Sequence, residues 1–435
     1  MSSKLQEYAK QNKIKYFLIN FTDISGYQRS KLVPSSAISD MEKDGAGFAG
    51  FATYLDMTPA HPDMFSVPDV RSVIQLPWKK EVAWVAGDLF MNDKQISQAP
   101  RVILKSMIDK AKKNGFLLKS GVEPEYMLIS QDGETISDEY DTASKPCYDQ
   151  QALMRRYDVV SEICDSMLEL GWGTYQNDHE DANGQFEMNW DYSDSLTTAD
   201  RHAFFKFMVK SIAEKHGIRA TFMPKPFSHL TGNGCHMHLS LWDISEKNNL
   251  FLDKNNEMGL SSLAYHFLGG LMNNALGMTA ITNPTVNSFK RINAPVTNSG
   301  ATWAPNTVTY GGNNRTHMVR IPDAGRLEFR LADGAVNPYL FSAAIIAAGL
   351  DGISKQSDPG KRLDIDMYSE NNKVKGAKKL PLNLKDALKE FEKNKVFRNS
   401  LGDEFYHAFL KLKNQEWNDY SSQLTKWEKI NTLDC

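Results

Sequence analysis

The chain has 435 residues, 50 Lys and Arg against 53 Asp and Glu, and a formal net charge of −3. That length can bury a large core and suits two domains, while the near-balanced charge leaves no footprint for nucleic acid. No apolar run nears the roughly 18 residues of a membrane span, the start has no apolar leader segment, and the four cysteines show no framework spacing. A reduced, cytoplasmic, membrane-free protein is expected.

Residues 1–97 read as a small mixed unit. Tyr16–Phe21 is a strand stopped by the turn signal Thr22-Asp-Ile-Ser-Gly26, and Ser72–Leu76 and Val82–Ala86 are two more, parted by Pro77-Trp-Lys-Lys. Gly45–Ala52 reads as a small-residue loop carrying Phe48 and Phe51, of the kind that lines sites. From residue 98 helices alternate with strands. Leu104, Met107, Ile108 and Ala111 form a helical stripe that stops at Asn114-Gly115. Leu153–Leu170, ending at Gly171, and Arg201–His216, ending at Gly217, are two further helices. Phe341–Leu350 reads as a buried helix, and the tail from Asp403, with Trp417, Tyr420 and Trp427, as helix for the core or a subunit contact.

Four segments between these helices concentrate charge. Alternate side chains of a strand share a face, so Gly325–Leu331 sends Arg326, Glu328 and Arg330 one way and Leu327, Phe329 and Leu331 the other. On pattern alone that is equally a solvated outer strand. Gly121–Tyr126 puts Glu123 and Glu125 two apart, Gly232–Ser240 puts His236, His238 and Ser240 on one face, and Glu180 and Glu187 flank an Asn-Gly turn. Like charges side by side call for a cation or a shared proton. Oxygen-rich sets with an imidazole suit magnesium or manganese better than zinc. Arg291, Arg315, Arg320, Arg326 and Arg330 fall within forty residues of one another, and guanidinium forks bind phosphate and carboxylate at two points. Metal ligands beside arginines form the layout of phosphoryl transfer.

Gly121-Val-Glu-Pro-Glu-Tyr126, Ala220-Thr-Phe-Met-Pro-Lys-Pro226, Gly232-Asn-Gly-Cys-His-Met-His238, Asn314-Arg-Thr-His-Met-Val-Arg-Ile-Pro322 and Arg326-Leu-Glu-Phe-Arg330 resemble, in order, the signature segments of the glutamine synthetase superfamily. The resemblance runs from about residue 15 to the C-terminus. It implies an α+β fold: an N-terminal β-grasp domain over 1–97, then a catalytic domain over 98–435 on a curved antiparallel sheet with helices. It implies a homo-oligomer, a dodecamer of two hexameric rings with active sites between neighbours. By position, Glu125, Glu180 and Glu187 resemble the ligands of one metal, and Glu123, His236 and Glu328 those of a second, magnesium or manganese. Arg291 and Arg330 resemble the groups that hold glutamate, with Gly232 at its backbone contact; Arg315 and Arg320 resemble those facing the transferring phosphoryl group; His238, Ser240 and Arg326 resemble ATP contacts. The implied reaction is phosphorylation of the glutamate γ-carboxylate by ATP, then attack of an amine on the acyl phosphate.

The chain departs from the ammonia-using pattern twice. Ammonia users carry a glutamate in a Tyr-Glu-Ala-Pro segment and an aspartate in an Asp-Gly-Ser-Ser loop. Here Ser299-Gly-Ala-Thr-Trp-Ala-Pro305 sets Trp303 at the first position, and Phe48-Ala-Gly-Phe-Ala52 sets Ala49 at the second. An aromatic pocket of Trp303 and Tyr148, with Phe48 and Phe51 from a neighbouring subunit, favours an amine with apolar surface; a ring face over an alkylammonium is worth roughly 0.5–2 kcal/mol. The pattern resembles the γ-glutamylmethylamide synthetase and type III-like branch, so methylamine is the expected amine. The alternatives are a glutamine synthetase using ammonia, with another acid serving ammonium, and an inactive scaffold or sensor. Tyr368 falls near a tyrosine that some bacterial relatives adenylylate, but Asp364-Ile-Asp-Met departs from that context and no regulation is predicted.

Overall fold

The computed structural model describes residues 3–297, 301–370, 373–374 and 376–435. Ser299 and Gly300, at the start of the Trp303 segment, lie outside the described residues. The first sheet holds β1 (Tyr16–Thr22), β2 (Gln28–Pro34), β3 (Ala46–Phe48), β4 (Met64–Pro68), β5 (Ile74–Gln75), β6 (Val82–Met91) and β7 (Lys94–Gln95). Its order is β2-β1-β6-β4-β3, with β5 and β7 on β6. β1 and β6 run parallel, and the other pairs are antiparallel. β6 extends past Ala86 because Val82–Leu89 is buried throughout, as a central strand requires.

Of this sheet's strands that the sequence reading left out, β2, β3, β4 and β7, two escape the pattern for clear physical reasons. β2 is mostly polar and exposed, an edge without alternation. Gly45–Ala52 is not all loop: Ala46–Phe48 pairs with β4, and Phe48 meets Phe21 edge-on at 5.0 Å.

The chain continues through β8 (Phe116–Pro124), β9 (Tyr126–Ile129), β10 (Gln176–His179), β11 (Gln185–Asn189), β12 (Ser193–Asp194), β13 (Arg219–Thr221), β14 (Cys235–Asp243), β15 (Tyr310–Gly311), β16 (Val319–Arg320) and β17 (Leu327–Phe329). They form a four-stranded sheet, β10-β11-β9-β13, and a six-stranded one, β12-β8-β14-β17-β16-β15. Pro100–Lys113 makes the expected helix, burying Leu104, Met107 and Ala111. The 153–170 helix breaks in two at Arg156 (φ −110°, ψ 16°), where the guanidinium donates to Ser137 Oγ at 3.0 Å. The next helix starts at Ser195, six residues early, because Asp194 caps it by accepting from Leu196 N and Thr197 N at 3.1 Å each.

Pro338–Lys355 packs on a helix absent from the sequence reading, Ser262–Thr282. Their backbones touch through glycine: a Cβ on Gly270 would lie 2.1 Å from Ala348 O. In the tail helix Asp403–Ser421, Phe405, Tyr406 and Phe409 are buried and Trp417 packs against the core. Trp427, on Lys426–Thr432, is 68% exposed and is not core. All four cysteines are free, and among the described residues no helix is long and apolar enough to cross a membrane.

Candidate active site

Antiparallel register makes the core of the site. β14 lies between β8 and β17, setting His236 opposite Glu123, and His238 opposite Gly121 and Glu328; β16 sets Arg320 opposite Glu328. Directly paired residues share a face, so Glu123, His236, His238, Glu328 and Arg320 line one stripe across four strands. Glu328 and Arg330 are 1% and 3% exposed. The charged face of β17 is therefore not a solvated one. His238 Nε2 lies 3.1 Å from Glu123, and His236 lies 3.8 Å from Glu123, 3.9 Å from Glu125 and 3.9 Å from Glu328. Arg320 donates to Glu328 at 2.8 Å, and Arg330 donates to its other oxygen.

Glu123 and Glu125 do not ride on one strand. Pro124 ends β8, and the chain passes into the four-stranded sheet, with Glu125 at the crossover. Proline has no N–H to extend the ladder. Glu125 stays in the site because its Oε2 accepts from Gly234 N at 2.7 Å and Gln185 Nε2 at 3.0 Å. Glycine is required here. A Cβ on Gly234 would lie 2.7 Å from Arg291 Nη2, and one on Gly232 would lie 2.2 Å from Pro224 O.

The hairpin of β10 and β11 supplies the rest. Asp178 sits directly opposite Glu187, and Glu180 follows in the turn. Oxygens of Asp178, Glu180 and Glu187 lie within 4.8 Å of one another, as do ligand atoms of Glu123, Glu187 and His236, and of Glu123, His238 and Glu328. Asp178 went unread in the sequence. The signal was there: it is two residues before Glu180, the same spacing that singled out Glu123 and Glu125.

The two halves of this acidic cluster differ electrically. Burial would raise Glu123, but hydrogen bonds with His236 and His238 outweigh it and hold the carboxyl well below the usual range. Burial would also raise Glu328, but Arg330, then His236 and His238, keep it at about 2. In the hairpin nothing outweighs burial. Burial and then Glu125 and Glu123 push Asp178 up to about 6. Burial, Glu125 and Asp178 push Glu180 well up, and burial, Glu123 and Glu180 do the same to Glu187. Buried carboxylates that repel one another create demand for a cation. Oxygen donors with one or two imidazoles fit divalent magnesium or manganese.

The remaining predicted residues surround this centre. Arg291 is buried, donating to Leu331 O at 3.0 Å. A cavity of about 270 Å³ is lined by Glu123, His238, Ser240, Arg326 and Trp242, which gathers the three expected ATP contacts. Arg315 is exposed. Tyr148 and Trp303 are the only aromatic residues with left-handed backbone among the described ones, at φ 64° and 53°, a conformation that costs bulky side chains roughly 1–3 kcal/mol. Tyr148 N donates to His179 O at 2.8 Å, holding the residue beside the acidic hairpin, and burial, then Cys147 and Glu180, push its phenol up to about 12. Within one chain the Phe48 ring meets Phe21 and Lys31 instead of the carboxylates, and Phe51 is 51% exposed.

Comparison with known proteins gives a consistent picture. Residues 97–431 match the family model for the glutamine synthetase catalytic domain. A glutamine synthetase of Rhizobium leguminosarum bv. phaseoli is 64% identical over 434 residues, 100% of both chains. A glutamate–methylamine ligase of Methyloversatilis universalis is 42% identical across 98% of each chain. A solved GmaS–ADP complex superposes with a TM-score of 0.97 at 62% identity, covering 100% of both chains.

Proposed function

The chain belongs to the glutamine synthetase family of carbon–nitrogen ligases, and from that premise we propose that it joins the γ-carboxylate of glutamate to methylamine in preference to ammonium, using ATP and releasing ADP and phosphate. Family names alone do not decide the amine, since relatives of near-equal similarity are a glutamine synthetase and a GmaS, a γ-glutamylmethylamide synthetase. The observation that carries the reading is Trp303. It occupies the place of the ammonium-binding glutamate and is kept there in a left-handed backbone, which fits an apolar wall better than a packing accident. Ala49 removes the second carboxylate.

In this reading Arg291 and Arg330 hold the carboxylates of glutamate, and His238, Ser240 and Arg326 hold the nucleotide. Glu123, Glu125, Glu180, Glu187, His236 and Glu328 hold divalent cations, which when bound neutralise charge on the transferring phosphoryl group. The γ-carboxylate oxygen bonds to the γ-phosphorus of ATP and ADP departs, while Arg315 and Arg320 stabilise the equatorial oxygens. The alkylammonium first gives a proton to a carboxylate of the pocket; the free amine nitrogen then bonds to the acyl carbon, the bond from that carbon to the phosphate oxygen breaks, and the remaining excess proton leaves to phosphate or water. The hairpin explains how a cationic amine is drawn in without the two lost carboxylates. With Glu125, Glu180 and Glu187 assigned to a cation, Asp178, paired opposite Glu187, is the neighbouring carboxylate outside that set that attracts an alkylammonium. Phe51, exposed in a single chain, suits a ring assembly in which it lines a neighbour's pocket.

The test is ADP release with ATP, magnesium and glutamate, comparing ammonium, methylamine, ethylamine and no amine. A kcat/KM for methylamine well above that for ammonium is expected. A higher value for ammonium makes the protein a glutamine synthetase and Trp303 a packing residue. Trp303→Glu is expected to gain ammonium use relative to methylamine.

A further inference from the structure

The turn that carries Glu180 is held from behind by a carboxylate that no step above uses. In β10 Asp178 faces the acidic cluster, so His179, next along the strand, faces away from it. Its ring packs edge-on against Phe186, its partner on β11, with centroids 5.2 Å apart. Both ring nitrogens are occupied: Nδ1 lies 2.9 Å from Glu180 O, and Nε2 lies 2.7 Å from Asp141 Oδ2. The same Asp141 oxygen accepts from Gly184 N at 2.6 Å, and the other accepts from Asn183 Nδ2 at 2.8 Å. Asp141 and His179 are 4% and 1% exposed.

His179, Asn183 and Gly184 bracket Glu180 and lead into Glu187. The far side of the turn is fixed as well, because Leu128 N of β9 donates to Gly184 O at 2.9 Å. The segment that brings Asp141 is itself tied to the hairpin. Asn183 Nδ2 also donates to Ala143 O at 3.1 Å, and Tyr148 N donates to His179 O at 2.8 Å. The Asn-Gly turn is thus clamped between β9 and Asp141. Glu180 and Glu187 repel one another across the space where a cation would sit, so an unheld turn would let them part. Hydrogen bonds to a buried carboxylate are the strong kind, and a clamp behind the ligands fixes their backbone before any ion is present.

We propose that Asp141 is a positioning residue for the cation of the hairpin: by clamping His179, Asn183 and Gly184 it keeps Glu180 and Glu187 at ligand distance from each other. This rests on the reading that those two glutamates hold a divalent ion. Asp141→Asn keeps the size, but it offers one acceptor oxygen in place of two and turns an amide NH2 toward a donor. Equilibrium binding of Mn2+ to the full-length protein, followed by electron paramagnetic resonance, is compared with wild type and with Glu187→Gln, which marks the ion that the hairpin holds. Asp141→Asn is expected to weaken that ion about tenfold, the low end of what loss of an outer hydrogen-bond partner costs a metal. The ion of Glu123, His236 and Glu328 should stay within about twofold, since their strands do not touch the clamp. Asn183→Ala removes one of the three donors and leaves Asp141 in place, so the same ion is expected to weaken about threefold, the scale of one net hydrogen bond. The proposal is overturned if Asp141→Asn binds Mn2+ as the wild type does, or if both ions weaken together as in general loosening. Should Asp141→Asn fail to fold, Asn183→Ala decides by the same two criteria. Failure of the underlying reading looks different, because wild type and Glu187→Gln then bind Mn2+ alike.

Discussion

Two buried clusters of charge sit in this chain, and they are built on opposite rules. Around Arg101, three cations meet three carboxylates. Arg101 bonds to Asp69 at 3.0 Å, Asp88 at 2.7 Å and Asp200 at 2.9 Å; Arg71 also bonds to Asp69, Lys105 to Asp88, and Tyr339 donates to Asp200. The strand β6, the helices Pro100–Lys113, Ser195–Lys215 and Pro338–Lys355 are pinned together there. Every charge has its opposite. In the hairpin of Asp178, Glu180 and Glu187, like charges face like, and each carboxyl is driven upward. A cluster that neutralises itself is architecture. A cluster that cannot do so calls for a cation from outside.

Breaking the first cluster is expected to give the largest effect on folding. Arg101→Met leaves Asp200 without a cation and takes one of two cations from Asp69 and Asp88, and removal of one partner of a buried ion group costs about 3–5 kcal/mol. Urea unfolding reads the loss. A change under about 1 kcal/mol would show the cluster to be solvated in practice. Glu187→Gln should do the reverse: activity falls about 10²–10³-fold, the scale of losing one preorganised electrostatic group, while the chelated protein keeps or gains thermal stability. A lower Tm for chelated Glu187→Gln would mean that the hairpin is structural.

The clusters should also answer pH in opposite senses. The Asp69 carboxyl is held down, with hydrogen bonds from Arg71 and the charge of Arg101 overcoming burial. A lowered folded value contributes stability above the unfolded value near 3.8, lost as pH falls through the folded one. Asp178 is raised from 3.8 to about 6. Its contribution is present below about pH 4 and lost as pH rises through about 6. In chelator, therefore, raising the pH from 5 to 7 is expected to lower the Tm, and magnesium to flatten that slope. A slope indifferent to magnesium would detach the raised carboxyls from cation binding.

The same contrast explains what was legible in the sequence. Period-2 alternation exposed Glu328 with Arg330 and His236 with His238, since β14 and β17 are regular strands on which spacing equals facing. The α+β fold came from the family resemblance of the ordered signature segments, while the helical stripes closed by Asn114-Gly115 and Gly217 located individual helices. Arg101 and its aspartates were invisible: Asp69, Asp88 and Asp200 lie up to 131 residues apart, and only tertiary packing joins them. The Glu123–Glu125 pair was read correctly as neighbours for an incorrect reason, because a strand pattern does not register the sheet crossover at Pro124. Polar edge strand β2 and the three-residue β3 carry no alternation to read.

Asp178 offers the finest test, because it is the one carboxylate on the hairpin's strands that the metal assignment does not need. If a divalent ion satisfies Glu180 and Glu187, Asp178→Asn removes the charge left over for the alkylammonium and leaves the cation set intact. The KM for methylamine is then expected to rise about tenfold, the size of one moderately screened ion pair of about 1.4 kcal/mol. The KM values for glutamate and ATP should stay within about twofold. The chelated protein should gain stability at neutral pH, since one of three mutually repelling groups is gone. A change in magnesium dependence without a change in amine KM would instead make Asp178 a metal ligand. The charge left to receive the amine would then have to come from Tyr148's side of the pocket, where no carboxylate is aimed by strand geometry as Asp178 is by its pairing with Glu187.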